Sequence, residues 1–274
     1  MASHINLDEI NTIKFNKNES IELAINYNNI DYYMKIFLKD INDHLIIFSN
    51  GAINPKKKLP PVYMRSSWAN DIEASCIFLD DPTVHGENLK LGWGQGPKNH
   101  FALEELAVIL REVISYLQFE TENVYFYGSS AGGFMSAYFS ILIHDTTAIV
   151  NNPQTKVFNY IEPYVKRMLN HSYEIKNIEE IPENLLYRMD LAEAMIHYKS
   201  TPKKLYYLQN YLQEDDVENH LKPFLFSLKE KGIECTGLYL MNYFSTKLGH
   251  NPLPKEITLK YIHQIIDGKL DMEF

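Results

Sequence analysis

A chain of 274 residues with 45% hydrophobic content can fill one large core or two small ones, and a charged fraction of 22% without low-complexity stretches excludes a disordered chain. The net charge is −9 and the densest basic cluster is Lys56-Lys57-Lys58, so the concentrated positive face that a nucleic-acid partner requires is missing. Cys76 and Cys235 each stand among apolar residues that read as strand, which predicts buried thiols and a reducing compartment rather than a disulfide framework. The segment Met1-Ala2-Ser3-His4-Ile5-Asn6 lacks a basic region followed by an apolar run, and no run of about 18 uncharged apolar residues occurs, so no membrane span and a cytoplasmic location are expected.

In chain order, β-rich runs at 21–26, 32–38 and 44–49 are separated by Asn- and Asp-rich turn signals and predict an antiparallel edge of a sheet. A strand at 75–79 precedes an amphipathic helix over 102–119, in which Leu103, Leu106, Leu110, Val113 and Leu117 recur on one face. The strand 124–127 leads into Gly128-Ser129-Ser130-Ala131-Gly132, followed by a helix over 132–143 that is small-residued first and apolar later. The alternation continues with strands at 147–150, 204–209 and 237–243 and helices at 217–230 and 255–266. Such alternation predicts an α/β fold, with a mainly parallel central sheet and helices on both faces. The stretch 154–198 is too long for an ordinary connection and carries Phe158, Tyr160, Tyr164, Met168 and Met195. It is expected to form a helical cap inserted into a single domain over 1–274.

A serine hydroxyl attacks carbonyls only when a base takes its proton and a sharp strand-to-helix turn presents its oxygen above a sheet. Such a turn crowds the positions two before and two after the nucleophile, where Gly128 and Gly132 stand. Ser129 is the rival nucleophile but lacks this symmetric glycine spacing, so Ser130 is preferred. With Val124-Tyr125-Phe126-Tyr127 before it and Phe134-Met135-Ser136-Ala137-Tyr138 after it, the segment resembles the nucleophile turn of the α/β-hydrolase superfamily.

That resemblance implies a serine hydrolase or O-acyltransferase with the order Ser, acid, His. His250, in Leu248-Gly249-His250-Asn251-Pro252, lies after the 237–243 strand and before the last helix, and is the candidate base. His220 and His263 fall inside predicted helices. Glu214, Asp215 and Asp216 all follow the 204–209 strand as candidate acids, and Asp215 is narrowly preferred, although Asp215 with Glu218 also fits a capping box. One oxyanion donor is expected at the Ala131 N–H. The second, by resemblance, comes from Gly51 or Ala52 after the 44–49 strand.

Trp93, in Gly92-Trp93-Gly94-Gln95-Gly96, is expected in the pocket wall, and Arg65 with Trp68 could bind an anionic or sugar group. No His-Glu-x-x-His or paired-Cys spacing is present, so no catalytic metal is expected. Gly128-Ser129-Ser130-Ala131-Gly132-Gly133, Asn152-Pro153-Gln154, Gln209-Asn210 and Gly249-His250-Asn251-Pro252 together resemble α/β-hydrolase proteins of bacterial surface-glycan synthesis, including capsule O-acetyltransferases. The expected partner is a small ester or a glycan. Hydrolysis needs no cofactor, and a transferase would take acetyl-CoA as a candidate acyl donor. The competing reading is a non-catalytic binding or secretion-accessory module of the same fold.

Overall fold

A computed structural model describes residues 2–40, 43–85 and 89–270; Met1 and positions 86–88 of the loop after 75–79 lie outside the described residues. Among the described residues nine strands form one sheet in the order β1-β2-β3-β5-β4-β6-β7-β8-β9. They are β1 (Ser3–Asn6), β2 (Ser20–Tyr27), β3 (Ile30–Phe37), β4 (Leu45–Phe48), β5 (Ser75–Leu79), β6 (Val124–Ser129), β7 (Thr147–Asn151), β8 (Lys204–Asn210) and β9 (Leu238–Tyr243). From β5 to β9 neighbours run parallel, while β3 pairs antiparallel with both β2 and β5. Of the three runs expected to form an antiparallel edge, β2 and β3 do so, whereas the third, β4, lies in the parallel centre between β5 and β6, where its wholly apolar, fully buried run belongs; the edge is extended by β1, which the sequence pattern does not announce. Ser-His-Ile-Asn has no apolar alternation and is almost wholly exposed, so only the free edge of β2 recruits it.

The central strands β4, β5, β6 and β7 are buried at every position, as strands covered on both faces must be. On one face pack α1 (Ala102–Tyr116), α2 (Ala131–Leu142) and α6 (Lys222–Glu230), with Leu106, Leu110, Phe134 and Phe224 in a continuous core with Ile47 and Phe126. The other face is covered by α7 (Lys255–Ile266) and the short 3₁₀ turn Ser66–Asp71, through Ile262, Ile265 and Ala69 against Phe48 and Tyr127. Cys76 is buried on β5, whereas Cys235 is half-buried in the loop before β9 rather than on a strand; both are free thiols. Burial pushes the thiols up, Cys76 to about 12 and Cys235 to about 11.

Between β7 and β8 lie α3 (Glu162–Tyr173), 3₁₀ turns and α4 (Leu191–Tyr198). The α4 helix buries Leu191, Ala192, Ala194 and Met195 in the core of the first face. Among the described residues no helix is long and apolar enough to cross a membrane.

Register decides where chemistry can occur. Phe48 pairs with Tyr127, Ser129 with Asn151, Asn151 with Leu208 and Asn210 with Tyr243, so the carboxyl ends of these strands level off together. The loops after β4, β6, β7, β8 and β9 therefore leave along one edge, the usual ligand edge of a parallel sheet.

A Cβ on Gly128 would lie 2.0 Å from the Gly132 carbonyl oxygen, whereas one on Gly232 would meet nothing within 4 Å among the described residues. Gly128→Ala is expected to destabilise by at least about 4 kcal/mol, because rigid backbone must move. Gly232→Ala, with only its left-handed conformation to hold, should cost roughly 1–2 kcal/mol. Thermal denaturation of both variants checks the contrast, and equal losses would refute it.

Candidate active site

Ser130 links β6 directly to α2 with φ 56 and ψ −125, a conformation that a non-glycine residue keeps only when its surroundings enforce it. The enforcement is visible. Its N–H donates to the Asn151 carbonyl at 3.1 Å, and its own carbonyl accepts from Gly133 and Phe134 at 3.0 and 3.2 Å. Gly132 backs onto the Ser49 carbonyl, where a Cβ would sit 2.7 Å away, so both flanking glycines are required by space.

The hydroxyl of Ser130 lies 2.9 Å from His250 Nε2, and His250 Nδ1 lies 2.8 and 2.7 Å from the two Asp216 carboxylate oxygens. A carboxylate only accepts, so Nδ1 carries the proton and Nε2 is left to accept from Ser130. Asp216 is 5% exposed, whereas Glu214 and Asp215 face solvent. The narrow preference for Asp215 is therefore corrected. The helix begins at α5 (Glu214–Asp216) with Gln213 as its N-cap, so the expected Asp215 and Glu218 capping box is not the start. Successive helical residues point about 100° apart, and only Asp216 turns inward.

Buried carboxamides hold the loop that carries His250. Asn152 Nδ2 donates to the His250 carbonyl at 3.2 Å, and Asn210 Nδ2 donates to the Ser245 and Gly249 carbonyls at 2.8 and 2.9 Å. Asn151 Oδ1 accepts from the Leu253 N–H at 2.7 Å. In sequence Asn152 and Asn210 stand out only within motifs and Asn151 not at all; their position at strand ends is the available signal for a loop-anchoring role.

Ala131 is the first residue of α2, so no helical carbonyl can take its N–H. The Gly51 N–H, across the turn, points at Met64 Sδ at 3.3 Å, a weak acceptor that a stronger one could replace. Ala52 is exposed and stands beyond that contact.

Arg65 donates to the hydroxyl of Ser129 at 2.7 Å and stacks over Trp68 and Tyr127, 5.5 and 5.1 Å from their ring centres. Its Nη1 is buried without a hydrogen-bond partner among the described residues. Trp68 is half-buried and also packs edge-on to Phe48, so the pair adjoins the residue before Ser130. Trp93 departs from its expected place in the pocket wall: it is 0% exposed, so no ligand can touch it. Its indole N–H donates to Gln154 Oε1 at 2.5 Å and its ring meets Tyr160 edge-on, which makes it a support behind the wall.

A cavity of about 360 Å³ opens beside His250 and Asp216, lined also by Tyr160, Asn219 and His220. His220, set aside above as a helical residue, is 2% exposed. Burial first, and the neighbouring His250 second, push its imidazole down to about 3. Among the described residues no cluster of His, Cys, Asp and Glu could hold a metal ion.

Comparisons with known proteins identify the fold. No family model matches the sequence, and no curated protein sequence matches it. Solved structures do. The capsule O-acetyltransferase of Neisseria meningitidis serogroup A superposes with a TM-score of 0.63 at 14% identity, over 88% of this chain and 96% of that one. Carboxyl esterase 2 from the fungus Tuber melanosporum gives 0.60 at 12% identity, over 93% and 88%. The fluorophosphonate-binding serine hydrolase F of Staphylococcus aureus gives 0.56 at 11% identity, over 92% and 99%. The chain has the α/β-hydrolase fold, and at these identities the likeness establishes the fold alone.

The depressed His220 makes stability pH-dependent. Below about pH 6.5 the unfolded chain takes up a proton that the folded chain, with this group at about 3, refuses, so stability falls as pH drops through that interval. At about pH 5 the loss should reach about 2 kcal/mol. Urea denaturation of wild type and His220→Gln at neutral pH and at about pH 5 tests this: the variant should lose that part of the acid sensitivity, and an identical pH slope in both proteins would rule it out.

Proposed function

We propose that this chain is a serine-nucleophile acyl-transfer enzyme, a carboxylesterase or an O-acetyltransferase acting on a small ester or a glycan. The observation that carries the reading is the unbroken relay from the Ser130 hydroxyl through His250 to the buried Asp216. Ser130 Oγ attacks the carbonyl carbon of an ester or thioester while His250 Nε2 takes the hydroxyl proton. Asp216 holds the imidazole in the correct tautomer and balances the imidazolium charge. The developing oxyanion meets the Ala131 N–H and the Gly51 N–H, with Met64 Sδ giving way. His250 then returns its proton to the leaving alcohol or thiol, which departs and leaves acyl-Ser130. An acceptor hydroxyl repeats the sequence in reverse: water gives an esterase, and a sugar hydroxyl gives an O-acetyltransferase.

The donor is an ester or a thioester such as acetyl-CoA, and the cation–π stack of Arg65 on Trp68 supports a role for its guanidinium in receiving an anionic group of the donor. Arg65→Gln should raise KM about tenfold or more for anionic esters relative to neutral ones. Equal effects on both would remove Arg65 from substrate binding.

A decayed binding module would not retain a buried acid, a held imidazole and a presented hydroxyl together. The direct test is a fluorophosphonate probe read by mass spectrometry. Label on Ser130 is expected; no adduct on the folded protein would sink the reading, and label on Ser129 would move the nucleophile. His250→Ala should remove labelling and aryl-acetate turnover. Asp216→Asn should lower kcat by about 10⁴ through loss of the correct tautomer, with Asp215→Asn falling far short of that.

A further inference from the structure

The cavity beside the relay is polar in a particular way. On one wall stand Asp216, Asn219 and His220, at i, i+3 and i+4 of a helical run and therefore on one face. The run is not uniform: Val217–Leu221 forms a π-turn between α5 and α6, an irregularity that recurs at functional sites. On the opposite wall Tyr160 presents its ring, 6.4 Å from the ring centres of both His220 and His250. Asn159 ties the walls together by donating to the Asn219 carbonyl at 2.9 Å.

The lining chooses among ligands. His220 is 2% exposed and its Nδ1 has no hydrogen-bond partner among the described residues, which leaves the group to be paired by a polar ligand. An aliphatic acyl chain would leave that nitrogen, the Asn219 amide and the Gln213 amide unpaired and dry. An anion would meet the carboxylates of Asp215 and Asp216 with no Lys or Arg among the described residues of the lining. A neutral polyhydroxylated molecule meets neither objection. Its hydroxyls both donate and accept, and the C–H face of a sugar ring packs on an aromatic ring such as Tyr160. A volume of about 360 Å³ lies within the range of about 300–1,000 Å³ typical of small-molecule sites. Burial keeps the His220 imidazole neutral at ordinary pH, able to donate from one nitrogen and accept at the other.

We infer that this cavity is the alcohol subsite of the acyl transfer and that it takes a neutral saccharide, recognised by Tyr160, Asn219 and His220. The inference rests on the acyl-transfer reading, because the cavity is assigned its alcohol through its shared wall with His250. The bound sugar's free hydroxyl gives its proton to His250 Nε2 as its oxygen bonds to the acyl carbon. The bond from that carbon to Ser130 Oγ then breaks, and Ser130 regains the proton.

The test measures binding without chemistry. Full-length Ser130→Ala protein is titrated, by calorimetry and saturation-transfer NMR, with maltose, N,N′-diacetylchitobiose, glucuronate and hexanoate. At least one neutral disaccharide should bind with Kd on the order of millimolar or tighter, with neither hexanoate nor glucuronate displacing it. Tyr160→Ala and Asn219→Leu, each on the Ser130→Ala background, should weaken it about tenfold or more. Asn219 is exposed, so its variant keeps the test valid even if Tyr160→Ala unfolds. Binding of neither disaccharide, displacement by hexanoate or glucuronate, or affinity unchanged in Asn219→Leu would overturn the inference. Fluorophosphonate labelling of the wild type is scored separately. Label without saccharide binding removes only the subsite, whereas saccharide binding without label leaves a sugar site and removes its role as acceptor.

Discussion

The constraint on which the site depends is the approach of Gly128 to Gly132, where the backbone of a strand end and the first turn of a helix occupy space that a single methyl group would need. Holding Ser130 at φ 56 costs on the order of 1–3 kcal/mol, and the cost is met by what surrounds the turn. The Asn151 carbonyl takes the Ser130 N–H, and α2 buries nearly its whole length against the sheet. Because β6 sits at the centre of the sheet, this corner is the fixed point from which the other site residues are measured. The hydroxyl is presented by the rigid part of the fold, and the His250 imidazole and the Gly51 segment come to it on loops.

Those loops are held by hydrogen bonds more than by packing. Asn151, Asn152 and Asn210 are at most 1% exposed, and each carries an amide that reaches the segment between Ser245 and Leu253. The phenol of Tyr243, at the end of β9, accepts from both Asn151 and Asn152 at 3.0 and 3.1 Å. A buried amide in such a network is costly to leave unpaired, so the loop has one favourable position and the imidazole arrives already oriented. The acid is secured differently: Asp216 belongs to a helix start and is aimed by its rotation, not by a loop anchor.

Behind the cavity the loop 92–96 ties the sheet to the segment between β7 and β8. Trp93 connects Gln154 with Tyr160, Gln95 Nε2 donates to the Arg188 carbonyl at 2.8 Å, and the Ser172 hydroxyl donates to the Gly96 carbonyl at 2.6 Å. Gly94 and Gly96 adopt φ of 65 and 84, which lets this loop turn back so tightly. Much of the aromatic content is spent on such internal contacts, Phe101 against Tyr138 and Tyr206 against Tyr239 among them, rather than on an apolar cleft.

What the sequence by itself determined are the features carried by local chemistry. Alternating apolar periods give the central strands and the helices on both faces, and two glycines at symmetric spacing mark the serine, because steric exclusion acts between near neighbours in the chain. The histidine in the loop between the last strand and the last helix is legible for the same reason of order. Tertiary structure alone decided the rest. Glu214, Asp215 and Asp216 are indistinguishable until the helix start sets their rotation; His220 looks like any helical histidine until the Tyr160 wall closes over it; Trp93 reads as cleft lining until burial removes it from any ligand. In each case the deciding contact joins residues far apart in the chain, and only the packed fold chooses which side chain faces inward.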